Sequence, residues 1–336
     1  MRGLLETLRG IVQDEDDAQV RTVLGDAIGD LEGLAAFIEA AVHAGTGQAV
    51  LGCVYEYVSV GLTLELALDE GARCVVKATQ PRQDEWAGLW LQDWLAQQGF
   101  PAPRVLAGPK RFGGASVHVM ESLPRGEAVT YDASVRELMA RELARLVSLA
   151  GTIDPWPELA VRVERDERLW ATPHSAIFDI QGTVESAWAI DTIAIAAKDR
   201  LHEGDGPRVI AHCDWSLQNV AFAGGELVAV FDWDNVSITS EVSAVAGAAA
   251  FHQQDWRLGP QGAAHFYPPP AWTLAFVEDY AAARGRAWTD TERALLGPEL
   301  VYRLGYQARC EHALDPKTVG PAQKRFVQFA EHFGLG

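Results

Sequence analysis

Cysteine is scarce and scattered. Cys53, Cys74, Cys213 and Cys310 form no CxxC pair, which argues against a zinc site and against a disulfide framework. Long apolar runs are also missing. No stretch approaches the roughly 20 residues that cross a bilayer; the longest, Val242 to Phe251, is interrupted by Ser243 and Gly247 and reads as a buried helix. Positive charge is in short supply, with 28 Lys and Arg against 46 Asp and Glu and a formal charge of −18. Nucleic acid is therefore not expected as a partner, because its phosphates call for a basic surface. The deficit marks no particular region. Residues 1–125 hold 10 basic and 17 acidic residues, residues 126–336 hold 18 and 29, so solubility accounts for it as well as substrate steering does. Met1 to Val12 lack the apolar block of a signal peptide and carry Arg2, Glu6 and Arg9 at helical spacing, so a cytoplasmic protein without a membrane segment is expected. There is no internal repeat, and Pro268-Pro269-Pro270 is a local rigid turn.

What is present suffices for a large core: 336 residues, 48% of them hydrophobic, suggest two lobes or domains. The richest stretch runs from His212 to Asp234 and contains HCDWSLQN and, further on, VAVFDWD. Asp214 and Asn219 lie in a segment with the letters of a loop. Asp232 follows the run Leu227-Val228-Ala229-Val230-Phe231, which is bounded by Gly224-Gly225 and reads as a buried strand ending at a site. Transfer of a γ-phosphoryl group needs an aligned hydroxyl, a proton acceptor and cations that neutralise the phosphates. Asp214 can accept or orient the hydroxyl proton, and Asn219 and Asp232 offer the hard oxygens that suit Mg2+. Singly, each of these residues is more simply a turn or cap residue; it is the constellation that points to chemistry.

This segment resembles the catalytic core of the aminoglycoside phosphotransferase and choline kinase group, relatives of the protein kinases. The group's H-x-D-x-x-x-x-N is filled by His212, Asp214 and Asn219, and its strand-terminal Asp by Asp232. The resemblance implies that Asp214 is the catalytic carboxylate, that Asn219 and Asp232 bind metal, and that His212 braces the backbone. HCDWSLQN and FDWD look most similar to actinobacterial antibiotic-inactivating or self-resistance enzymes.

The preceding residues fit the same frame. Val50 to Val60, Leu62 to Leu68 and Arg73 to Lys77 read as three strands, with Asp69-Glu70-Gly71-Ala72 as a hairpin turn. A strand-terminal Lys is ordinarily an edge solubiliser; in kinase-like folds it meets the nucleotide phosphates, which is the role implied for Lys77. Asp84 to Gln98 reads as a helix with Trp86, Leu89, Trp90, Trp94 and Leu95 on one face. Glu85 opens it, either as an acidic residue favoured by the helix dipole or, by resemblance, as the partner of Lys77. The turn Gly99-Phe100-Pro101-Ala102-Pro103 looks like the family's G-x-P-x-P. Ser116 to Met120 reads as a strand, and Glu121 to Gly126 looks like the hinge, so Met120, Glu121 and Leu123 are the expected contacts to the nucleotide base. Two departures stand out. The loop from Val58 to Thr63 carries only Gly61, unlike the glycine-rich loop of protein kinases, and the helix from Val135 to Leu149 ends in Leu149-Ala150 where the family has Leu-His.

The expectation is an α+β, two-lobed, protein-kinase-like fold. Its N-terminal lobe, 1–121, has a helical segment at 1–46 followed by a small antiparallel sheet. Residues 122–126 are the hinge, and 127–336 a mainly helical lobe carrying the catalytic loop and substrate pocket. The activity implied is transfer of phosphate from ATP or GTP, with Mg2+, to a hydroxyl of a small molecule. An aminoglycoside or nucleoside antibiotic is the first candidate substrate. A metabolite kinase for choline, a sugar or homoserine is the alternative, with a non-catalytic nucleotide-binding module third; the chain is expected as a monomer or homodimer. Asp234, Asp255, Glu278 and Glu311 are the acidic candidates for holding substrate amines or hydroxyls, each also explicable as a solvated helix face or an internal salt bridge.

Overall fold

Alternating leucines build the first sheet. Strands β1 (Val50–Val58), β2 (Gly61–Leu68), β3 (Arg73–Thr79), β4 (Val105–Phe112) and β5 (Ala115–Glu121) pair antiparallel throughout, in the order β1-β2-β3-β5-β4. Leu62, Leu64, Leu66 and Leu68 of β2 point to one face together with Cys74, Val76 and Ala78 of β3 and Val117 and Val119 of β5, and all are buried. This is the period-two pattern of a sheet covered on that side. The computed structural model describes residues 2–14, 17–127, 129, 131–161, 168–170, 172–173, 177–201, 206–254 and 270–336. They divide into two compact units, Met1–Arg125 and Gly126–Gly336.

In the first unit the cover comes from the N-terminal helices α1 (Leu4–Asp14), α2 (Asp17–Leu24) and α3 (Leu31–Thr46). Leu4, Leu8 and Ile11 of α1, Val20 and Val23 of α2, and Leu34, Ile38 and Val42 of α3 join the sheet leucines in one cluster. Asp30 caps α3 by accepting from Gly33 N at 2.9 Å, and Gly47 closes it in the left-handed conformation. The turn between β4 and β5 needs Gly113: a Cβ there would lie 2.4 Å from Ala27 N, whose N–H donates to Gly113 O at 2.8 Å.

Helix α4 (Glu85–Gln97) corrects the sequence expectation. It buries Glu85, Leu89, Leu91, Gln92 and Leu95, while Trp86 and Trp90 remain 65% and 47% exposed and Trp90 stacks on Trp94. The tryptophans are one i, i+4 row of their own, beside the buried stripe rather than within it. Gln92 can be buried because its Nε2 donates to Pro103 O at 2.7 Å.

The second unit is mainly helical: α5 (Ala133–Ala150), α6 (Trp188–Leu201), α7 (Glu241–Phe251), α8 (Pro270–Ala283), α9 (Asp290–Leu314) and α10 (Pro321–His332). The long α9 packs against α6, α7 and α10, and α5 against α8. Two small antiparallel pairs stand among them, β6 (Arg208–His212) with β9 (Val236–Ser240), and β7 (Val220–Ala223) with β8 (Glu226–Val230). A buried charge network joins three of the helices. Arg284 reaches Glu241 at 2.7 Å, Arg286 bridges Glu241 and Glu292 at 2.7 and 2.8 Å, and Tyr280 donates to Glu241. Thr289 and Glu292 also form the capping box that starts α9. No helix among the described residues is long and apolar enough to cross a membrane.

Two stability outcomes follow. Ile38, fully buried, should cost about 2–5 kcal/mol when replaced by Ala, read from urea unfolding. Glu292 offers a pH signature. Hydrogen bonds from Arg286, opposed by burial and helped by Thr289, hold its carboxyl down at about 2, against an ordinary 4.5. A folded-state value below the unfolded one gives stability that is complete above about pH 4.5 and lost as pH falls toward 2. The melting-temperature gap between wild type and Glu292→Gln should therefore be widest near neutrality and close across that acid window; a gap independent of pH would refute the assignment.

Candidate active site

The loop that follows β6 is held by its own backbone and by one histidine. His212 ends the strand, opposite Val236 of β9. It is almost fully buried, at 1% exposure. Asp214 N–H can only donate, so the 3.3 Å contact to His212 Nδ1 makes that nitrogen the acceptor. The ring proton then resides on Nε2, which donates to Phe231 O at 2.9 Å. One imidazole thus ties the start of the loop to the residue before Asp232. The rings of Trp215 and Trp233 meet it edge-on at 5.9 and 5.3 Å. Trp215 is anchored by its Nε1 to Met139 O of α5 at 3.1 Å, and Trp233 by its Nε1 to Val230 O at 2.9 Å.

Asn219 closes the arrangement. Its Nδ2 donates to Asp214 O at 2.9 Å and to Asp214 Oδ2 at 2.8 Å. With the amide nitrogen so committed, Oδ1 is the atom left to act as an oxygen ligand. Asn219 O accepts from Phe231 N at 2.7 Å, so the backbone of Asn219 lies beside that of the residue preceding Asp232. The outer side of the loop is fixed as well: Leu217 N donates to His252 O at 2.9 Å and Gln218 N to Gln254 O at 3.3 Å. Burial holds the His252 imidazole at about 3, so it is neutral.

Asp232 has an unusual backbone. Its φ of 59° and ψ of 56° are left-handed, a conformation that costs ordinary L-residues roughly 1–2 kcal/mol and that Asp tolerates better than most. Strand β8 ends at Val230. The kink then turns the chain into the short 3-10 turn Trp233–Asn235, and Asn235 O accepts from Cys213 N at 3.1 Å. Asp214, Asn219, Asp232 and, two residues on, the half-buried Asp234 therefore belong to one hydrogen-bonded framework.

Five further candidates belong to the first unit. Lys77 lies on β3, paired with Thr63 and His118, and is buried to 8% exposure. Because the helices cover the Leu64 and Val76 face, Lys77, Thr63, Glu65 and Met120 share the opposite face. The connection from β1 to β2 is only Ser59-Val60, with Ser59 N donating to Gly61 O at 2.9 Å. A Cβ on Gly61 would lie 2.9 Å from Thr79 and 3.6 Å from Lys77 Cε. Glu85 is held by two groups that the sequence did not signal, Arg111 Nη1 at 2.7 Å and the hydroxyl of Ser116. Met120 contacts Gln92, Glu121 ends β5, and Leu123 follows in the segment after it.

Two acidic candidates are engaged away from this framework. Glu311 accepts from Ala322 N and Gln323 N at 3.3 and 3.1 Å, so it caps α10. Glu278 is exposed and pairs with Arg293 at 3.4 Å. Both take the internal role that any acidic helix residue could have taken. Asp255 lies outside the described residues.

Comparison with known proteins adds the family. The model described as phosphotransferase enzyme family matches residues 77–296, more than half of the 336. No curated protein matches the sequence. Among solved structures, amicoumacin kinase hAmiN in complex with AMP-PNP, Ca2+ and Ami is similar with a TM-score of 0.62 at 13% identity, over 90% of this chain and 93% of that one. A Ralstonia eutropha protein assigned as an aminoglycoside phosphotransferase gives 0.56 at 18%, over 91% and 97%. A Thermobifida fusca protein assigned as a fructosamine-3-kinase gives 0.55 at 16%, over 89% and 99%. At such identities the likeness shows the fold, an α+β kinase-like one. Its sheet, its helices and the family match over residues 77–296 agree: the chain belongs to the phosphotransferase enzyme family.

Proposed function

We propose that the protein transfers the γ-phosphoryl group of ATP or GTP to a hydroxyl of a small molecule, with Asp214 as proton acceptor or positioner. The observation that carries this is the pair of hydrogen bonds that Asn219 Nδ2 donates to Asp214 O and Oδ2. It orients the Asp214 carboxylate through Oδ2, and that carboxylate is the group proposed to meet the acceptor hydroxyl. Phosphoryl transfer depends mainly on such positioning and on charge stabilisation. Lys77 is the proposed phosphate contact, with Glu85 supporting it, and the backbone at Met120, Glu121 and Leu123 the proposed contact to the base.

Asn219 Oδ1 and the Asp232 carboxylate fit a Mg2+ site. They supply two hard oxygens and no soft donor. That suits an ion that completes its shell with phosphates and water. When bound, the ion would supply charge neutralisation for the β- and γ-phosphates. The hAmiN complex with AMP-PNP and Ca2+ supports the use of a nucleotide and a divalent ion.

An antibiotic is the first substrate class, supported by the likeness to amicoumacin kinase and to a protein assigned as an aminoglycoside phosphotransferase. Asp234 is the acidic residue best placed to meet an amine or hydroxyl of it. A second reading, a metabolite kinase, has support in the likeness to a protein assigned as a fructosamine-3-kinase.

The decisive measurement is nucleotide consumption against a panel of aminoglycosides, nucleoside antibiotics, sugars, glycated amines and choline, with ATP and GTP in parallel. Once an acceptor is found, Asp214→Asn should lower kcat by about 10²–10⁴-fold with nucleotide affinity retained. Asp232→Asn keeps a residue compatible with the left-handed backbone and should weaken nucleotide binding only when Mg2+ is present. Full turnover by Asp214→Asn would end the role given to that residue.

A further inference from the structure

The structure assigns Glu65 a positioning role: it shapes the segment after β5 so that the backbone of Glu121 to Leu123 can discriminate the nucleotide base. The inference rests on the nucleotide site proposed above and adds to it a residue from a different strand.

Glu65 lies in the middle of β2, on the sheet face that also carries Lys77. A carboxylate in the centre of a sheet, 6% exposed, is costly unless each oxygen is bonded. Here the bonds come from the segment that follows β5. Ser122 Oγ donates to Glu65 Oε1 at 2.8 Å, and Arg125 Nη2 donates to Oε2 at 2.6 Å. Arg73 of β3 adds a contact at 3.5 Å. Burial, the largest single influence, pushes the Glu65 carboxyl up; the bonds from Ser122 and Arg125 and the two arginine charges outweigh it and hold it below the usual range. The group is thus ionised and fully used.

One carboxylate therefore brackets residues 122 and 125, one oxygen for each end. Between the two anchors stand only Leu123 and Pro124. Pro124 has a fixed φ and no N–H, so the short span has little freedom once both ends are pinned. Arg125 is pinned a second time, its guanidinium lying 4.1 Å from the centre of the Tyr55 ring on β1. At the other end Glu121 N donates to Arg104 O at 2.9 Å. The N–H of Leu123 and the carbonyls of Glu121 and Leu123 are the groups whose direction this bracket sets. Recognition of a base edge by backbone groups requires that direction to be fixed before binding, because an ordering cost met at binding is subtracted from affinity. The two arginines also neutralise Glu65, so that its charge does not repel a polyphosphate approaching the face it shares with Lys77.

A role in base recognition differs from a merely structural one in which ligand it affects. Binding of ATP, GTP and inorganic tripolyphosphate, each with Mg2+, should be titrated calorimetrically into wild type, Glu65→Gln, Ser122→Ala and Arg125→Met. The ratio of ATP to tripolyphosphate affinity should fall at least tenfold in Glu65→Gln. The two milder variants should show smaller losses of the same sign, and the preference between ATP and GTP should narrow. An unchanged ratio in folded Glu65→Gln, or equal losses for ATP and tripolyphosphate, overturns the inference and leaves the phosphate site standing. If Glu65→Gln does not fold, the Ser122→Ala and Arg125→Met ratios decide by the same criterion. Wild type that binds neither ATP nor tripolyphosphate overturns the nucleotide site itself, and the inference with it.

Discussion

The second unit depends, at its chemical centre, on the amide of Asn219. Without that side chain, Asp214 would lose the donor that orients its carboxylate and the bond that closes its loop. The same residue's carbonyl accepts from Phe231 N, and Phe231 O accepts the Nε2–H of His212. Asp214 and Asp232, at the two ends of a loop and hairpin, are thus kept in register by one amide and one imidazole. Both are nearly buried, where hydrogen bonds are strong and a missing partner is expensive.

The first unit solves a different problem. Its sheet has one face filled by leucine and valine and sealed by three helices. The opposite face is thereby free to carry polar groups, Thr63, Glu65 and Lys77 among them. Glu65 and Lys77 are themselves buried there, at 6% and 8% exposure, and such groups need polar partners rather than apolar packing. The N-terminal helices, which bear no residue of chemical interest, are what allow the other side to be polar.

Much of this was legible in the sequence, and the reasons are local. The leucine alternation of residues 62–68 and the D-E-G turn after it have short-range causes, and the strands and turn lie where those patterns put them. The spacing of Asp214, Asn219 and Asp232 was legible because the loop and hairpin that join them are a single continuous piece of chain. Strand β9 and its pairing with β6 gave little signal, since Val236 to Ser240 is short and half polar. The partners of Glu85 and Glu65 were invisible for another reason. Arg111, Ser116, Ser122 and Arg125 are 26 to 60 residues away, and which arginine meets which glutamate is settled by strand register, not by any pattern in a window. The face of α4 was misjudged because Trp86, Trp90 and Trp94 share a helical spacing with Leu89 and Leu95, and that spacing does not separate the buried stripe from the indole row beside it; indoles tolerate a wet surface better than leucine does.

That tryptophan row on α4 bears on how copies of the protein behave toward one another. Exposed indoles at positions 86 and 90 favour sticking between molecules, and the colloidal counterweight is mutual repulsion from a formal charge of −18. The sequence pI is about 4.9. Near that acidity the repulsion vanishes while the aromatic surface persists, so association should be strongest there.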